Sequence, residues 1–102
     1  MTITIAGYQF EGTYNYTWYL RDQSGVYVIL TPNSSGNYSV LDAGESGKVK
    51  TRVENHDREP CWKRNSNGRA IRYAVYYVSG EWQRKAIEQK VRQTYNPPCG
   101  DR

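Results

Sequence analysis

Arg52 and His56 are the residues on which chemistry would turn. Across 48–56, Val49, Arg52, Val53 and His56 stand at i, i+3, i+4 and i+7, so a helix there carries all four on one face. A surface helix normally turns its charged groups away from its apolar stripe. Here a permanent cation and the chain's single imidazole accompany two valines toward the core. A fixed guanidinium meets anionic oxygens with paired hydrogen bonds, which suits a phosphoryl group gaining charge. The structural alternative has Arg52 snorkelling past the valines to water and His56 resting at the negative end of the helix.

The elements around that helix follow from pattern. Val26-Tyr27-Val28-Ile29-Leu30 is a continuous apolar run rich in β-branched residues, expected as a central strand covered on both faces, with Tyr27 its one side-chain hydroxyl. Pro32-Asn33-Ser34-Ser35-Gly36-Asn37 is a hairpin loop, and Tyr38 to Ala43 returns as a second strand. Asp42 falls near its end and shares a parity with Tyr38 and Val40. A turn through Gly44-Glu45-Ser46-Gly47 then opens the helix. Asp57 to Gly68 reads as a polar connection, with Trp62 either an exposed ring beside Lys63 and Arg64 or a lid over the core. Ile71 to Val78 is a third strand, apolar on both parities except Arg72. Ser79 is a candidate N-cap for a helix running to about Tyr95, where Asn96-Pro97-Pro98 stops it. Glu88 lies beside the Ile87/Val91 stripe of that helix, where an i±4 salt bridge with Arg84 or Arg92 is its ordinary role. Upstream, Tyr8, Phe10, Tyr14, Tyr16, Trp18 and Leu20 share one parity. They predict a half-buried strand, or a hairpin pivoting near Gly12, whose aromatic face packs rather than stacks on bases. The order of strands and helices is that of a small α+β domain.

The chain has 102 residues, one domain's worth, and a formal charge of +4. The charge is uneven. Residues 1–47 hold one arginine against four acids, a charge of −3, and residues 48–102 hold thirteen Lys/Arg against six acids, a charge of +7. A basic half suits a polyanion, with nucleic acid ahead of a membrane surface. Lys48, Lys50, Lys63 and Arg64 are the candidate phosphate contacts. No apolar run is long enough to cross a membrane, and Met1 to Phe10 lacks the basic start of a leader. Cys61 and Cys99 match no zinc spacing. They are expected as free thiols in a cytoplasmic protein, a disulfide being the alternative in an oxidising compartment. GESGKV is similar to part of a phosphate-binding loop, but Asp42 and Val49 stand where that motif needs glycine and Ser/Thr, which excludes it.

Gly25-Val26-Tyr27, then Asp42-Ala43-Gly44, then Arg52 eight residues past Gly44, His56, and Glu88 nine residues before Pro97 form an ordered series. Over residues 25–100 it resembles the GIY-YIG endonuclease superfamily. The resemblance implies a central three-stranded antiparallel sheet flanked by helices, with residues 1–24 as an extra N-terminal strand or hairpin. It also implies divalent-metal-dependent hydrolysis of phosphodiester bonds in DNA, with one Mg²⁺ or Mn²⁺. Carried onto this chain, Glu88 would hold the metal, Arg52 would meet the charge on the phosphate, and Tyr27 would position or deprotonate the attacking water. His56 falls at a position where some members carry a supporting His or Tyr. Two positions depart from the pattern. Asp42 replaces the tyrosine that opens the second motif, and Gly100 replaces an asparagine. Asp42 is then expected as a second metal ligand or a base, with Tyr38 a substitute hydroxyl if it lies close. The alternative is a catalytically degenerate domain that binds nucleic acid or protein through its basic 48–72 surface. A protein partner supplying specificity would suit either.

Overall fold

A computed structural model describes residues 1–100. The strands are β1 (Thr2–Ile5), β2 (Tyr8–Tyr14), β3 (Gly25–Pro32), β4 (Tyr38–Ser46) and β5 (Arg72–Tyr77). The helices are α1 (Val49–Glu54), α2 (Glu59–Ser66) and α3 (Glu81–Tyr95), with a 3-10 turn at Thr17–Tyr19. All five strands form one antiparallel sheet in the order β1-β2-β5-β3-β4. The α+β class stands, but the expected three-stranded sheet does not. The N-terminal hairpin is part of the sheet, because β5 is apolar on both parities and needs a strand on each side. It takes β3 on one and β2 on the other, and Tyr76 packs on Tyr8 and Phe10 across the second seam.

Strand alternation divides the core in two. Val26, Val28 and Leu30 of β3 face α3, packing with Phe10, Ala43, Ile87 and Val91. Tyr27 and Ile29 face α1 and α2, packing with Leu41, Val49, Val53, Trp62 and Val75. The sheet is therefore the middle of three layers.

Several expected boundaries move. The first hairpin turns at Ala6-Gly7, both at positive φ, and not at Gly12. A two-residue turn of that twist joins strands tightly, which is why a glycine sits at its second position. Register shifts between Glu11 and Tyr14, so the aromatic parity does not mark one face. Phe10 is buried toward α3 and Leu20 toward α1, while Tyr16 and Trp18 are exposed. The expected turn at 44–47 is strand as far as Ser46. The connection after His56 holds helix α2, which starts on Glu59-Pro60, a proline in the first turn where its missing N–H is harmless. Gly80, and not Ser79, caps α3. Cys61 and Cys99 are joined in a disulfide, contrary to the expectation of free thiols. No helix among the described residues is long and apolar enough to cross a membrane.

Candidate functional site

Tyr27 stands opposite Gly44 across the β3–β4 ladder. Its side chain lies against that glycine, and a Cβ at position 44 would overlap the hydroxyl end of the ring. The hydroxyl is thereby carried past β4 toward the chain that follows α1. There His56, two residues beyond the helix end, turns its fully buried imidazole inward and places Nε2 2.7 Å from the Tyr27 hydroxyl. The ring is wedged between Tyr27, edge-on, and Trp62 at 4.8 Å. The Arg58 backbone N–H donates to His56 Nδ1 at 3.1 Å. A nitrogen that accepts an amide proton holds none of its own, so the neutral ring carries its proton on Nε2 and donates it to the tyrosine oxygen.

Both groups are shifted, and by the same surroundings. Burial, then Arg52 and Arg58, bring His56 down to about 4. Burial pushes Tyr27 up to about 12, against the opposing pull of Arg52 and Arg58. At neutral pH the pair is an uncharged imidazole and an uncharged phenol. The tyrosine oxygen accepts from His56 and keeps its own proton to donate.

The His56 shift makes a prediction about stability. The unfolded chain takes up the imidazole proton near the usual value of about 6.5, and the folded chain only near 4. Between those values the unfolded state binds more protons, so stability is complete above about pH 6.5 and declines as pH falls to 4. The loss is on the order of 3 kcal/mol. His56→Gln, which does not titrate, should flatten the urea-midpoint profile across that window. Equal slopes in the two proteins would exclude this origin.

Arg52 is partly exposed and donates to Asp57 Oδ1 at 3.2 Å. The same Asp57 oxygen lies 3.4 Å from His56 Nδ1, so Arg52 reaches the Tyr27–His56 pair through Asp57. Glu88 is on α3, the other side of β4. It is half-buried, with Oε2 accepting from Arg92 Nε at 3.2 Å. Burial raises its carboxyl, Arg92 opposes this, and Glu45 and Arg58 act on it in opposite senses. The link is indirect: Arg58 bonds His56 through its amide and Asp42 through its guanidinium, and Arg92 bonds both Asp42 and Glu88.

Asp42 has a different place. Its side chain is wholly buried. Oδ2 accepts from Arg58 Nε and Trp62 Nε1, each at 2.8 Å. Oδ1 accepts from Arg92 Nη2 and the Ala43 amide, each at 2.8 Å, and from Arg58 Nη2 at 3.2 Å. Five donors use up its lone pairs, so as folded it has no site left for a metal or a water proton. Tyr38 supplies no substitute hydroxyl. It sits at the far end of β4, opposite Pro32, and its oxygen is 3.2 Å from Thr13 Oγ1. Lys48 is exposed and Lys50 half-buried at α1, while Lys63 and Arg64 are exposed on α2. Trp62 is the lid and not the exposed ring.

Arg58, Trp62 and Arg92 are the functional neighbours that sequence reasoning missed. Arg92 had a visible signal as the i+4 partner of Glu88, but nothing placed its far nitrogens on Asp42.

As for a divalent cation, no cluster of three His, Cys, Asp or Glu occurs among the described residues. A magnesium site needs less, since that ion keeps several waters and takes one or two carboxylates beside substrate phosphate. Glu88, with Oε2 committed to Arg92 and Oε1 facing no donor among the described residues, fits a single-carboxylate site of that kind. No protein-family profile, curated protein or solved structure matches the chain.

Proposed function

We propose that the chain hydrolyses phosphodiester bonds in DNA at the Tyr27–Arg52–His56–Glu88 site, in the manner of the GIY-YIG endonucleases it resembles. One observation carries this reading. Tyr27 bonds His56, Arg52 and His56 share Asp57, and Arg58, whose amide donates to His56, connects this group through Asp42 and Arg92 to Glu88. Arg52 binds a non-bridging phosphate oxygen, and its partly exposed side chain needs only to leave the exposed Asp57. Tyr27 orients rather than deprotonates. Held neutral, it accepts from His56 and donates its own hydrogen bond to a non-bridging phosphate oxygen. His56 fixes that direction. Glu88 would hold a divalent ion. Such an ion, when bound, supplies positive charge to the phosphate and the leaving oxygen.

The second reading is a domain that binds without cutting. Two observations favour it: Tyr27 is 2% exposed, and Asp42 has no free lone pair. A cleavage assay on supercoiled plasmid with Mg²⁺, Mn²⁺ or EDTA decides between them. Under the first reading, nicking is lost with EDTA and falls at least about a hundredfold in Arg52→Ala. Glu88→Gln abolishes nicking and leaves affinity unchanged or raised. Wild type that binds with steep salt dependence but never nicks leaves the second reading.

The cytoplasmic assignment rested on free thiols. With Cys61 and Cys99 bridged, an oxidising compartment accounts for the chain better.

A further inference from the structure

The 3-10 turn at Thr17–Tyr19 buries none of its residues, yet it is held firmly. Thr17 Oγ1 donates to Glu54 at the end of α1, and the Arg21 amide donates to the Tyr77 hydroxyl at 2.7 Å. Asp22 accepts from both the amide and the hydroxyl of Thr51, and Gln23 O accepts from the Val49 amide. The segment thus runs along α1, the helix that carries Arg52. What this scaffold presents is aromatic. Tyr16 and Trp18 stack at 4.0 Å with planes 8° apart, and Tyr19 stacks on Tyr14 at 5.7 Å. Trp18 is 61% exposed and Tyr16 and Tyr19 about half. A turn fixed by polar bonds while its large rings stay in water is not explained by packing.

The rim supplies cations. Arg21 lies over the Tyr77 ring and pairs with Glu11, and Lys48 and Lys50 flank Val49, whose amide bonds Gln23 O next to the Asp22–Thr51 contact.

We propose that the Tyr16–Trp18 stack is a platform for unpaired bases of a single strand, whose phosphates run over Lys48 and Lys50 toward Arg52. The inference rests on the phosphodiester reading of the neighbouring site and names its substrate as single-stranded or locally opened nucleic acid. A parallel stacked ring pair exposes a flat π-face at its end, which any base continues without regard to sequence. A fixed platform pays little ordering entropy on binding. Duplex, with its bases already stacked on each other, gains nothing there.

The test is fluorescence anisotropy of a labelled oligothymidylate, at one salt concentration, beside plasmid nicking. Trp18→Ala and Tyr16→Ala should each weaken oligothymidylate binding about tenfold or more. Both should keep the wild-type thermal midpoint, because the rings are exposed. Trp82→Ala, which removes the exposed tryptophan on α3, should change nothing. Unchanged affinity in both platform variants overturns the inference, and so does a wild type that binds duplex as well as single strand. Trp18-dependent retention on an immobilised neutral polysaccharide, with no oligothymidylate binding, overturns it in favour of a sugar. Nicking that requires Glu88 beside oligothymidylate binding indifferent to Trp18 leaves the hydrolytic reading standing without the platform. Trp18-dependent binding with no cleavage does the reverse.

Discussion

Replacing Asp42 with alanine should lower the folding stability by about 3–5 kcal/mol, a large part of what a domain of this size has. The reason is the state of its partners. Arg92 is 9% exposed, Arg58 is half-buried, and Trp62 Nε1 is enclosed. All three donate to one carboxylate, and without it Arg58 loses its counter-charge and Arg92 keeps only Glu88. Urea unfolding checks the value. A substitution that removes the charges together makes the control: Asp42→Leu with Arg58→Met and Arg92→Met should recover part of the loss, since exchanging a whole buried ion cluster for apolar groups is often neutral. Asp42→Ala with a wild-type midpoint would mean that water reaches both arginines. The same carboxylate also links layers. Arg92 belongs to α3, Trp62 to α2 and Arg58 to the N-cap of α2, on opposite sides of the sheet, and they meet at Asp42 around the edge strand β4.

The second large effect is expected from Cys61→Ser with Cys99→Ser. The bridge closes a separation of 38 residues, for which the restriction of the unfolded chain amounts to about 4 kcal/mol. More than the covalent bond would change. The Cys99 amide donates to Leu41 O on the open side of β4, and the Cys99 carbonyl accepts from Arg92 Nη1 at 3.1 Å. Residues 97–100 therefore lie along the edge strand as a cover, and Gly100, at φ +93, rests against the Arg92–Asp42 pair with no room for a side chain. Thermal unfolding with and without a reductant should show the wild type falling to the midpoint of the double variant. A midpoint insensitive to reductant would exclude a closed bridge.

Much of this architecture was legible, and what was not has specific causes. β3 and β5 announce themselves because strands apolar on both parities belong inside a sheet, and α3 because its stripe runs unbroken to Asn96-Pro97. Asp42 was misplaced by parity counting. Ile29 pairs with Asp42 but Leu30 with Val40, so Leu41 is an extra residue, and the strand's faces exchange at that irregularity. No composition marks it. The polar residues of α2 give it the appearance of a loop in the sequence and mask the Glu59-Pro60 start signal. His56 reaches the core beside Val49 and Val53 as the spacing predicts, but from beyond α1, because the helix ends at Glu54 and the chain turns inward past Asn55. The Cys61–Cys99 bridge lacks any local spacing that would reveal it.

The position of β5 between β2 and β3 also sets how late the sheet can close as the chain is made. β2 and β3 emerge from a ribosome early but do not pair with each other; the slot between them is filled by residues 72–77, and Glu11 finds its partner only at Val75. Until then the β1–β2 hairpin and the β3–β4 hairpin each present a row of unpaired amides and carbonyls, the kind of edge on which neighbouring nascent chains associate. Sheet closure at β5 is a long-range, slow step. Expression therefore favours conditions in which synthesis keeps ahead of crowding, and a chain truncated before residue 72 leaves both edges bare.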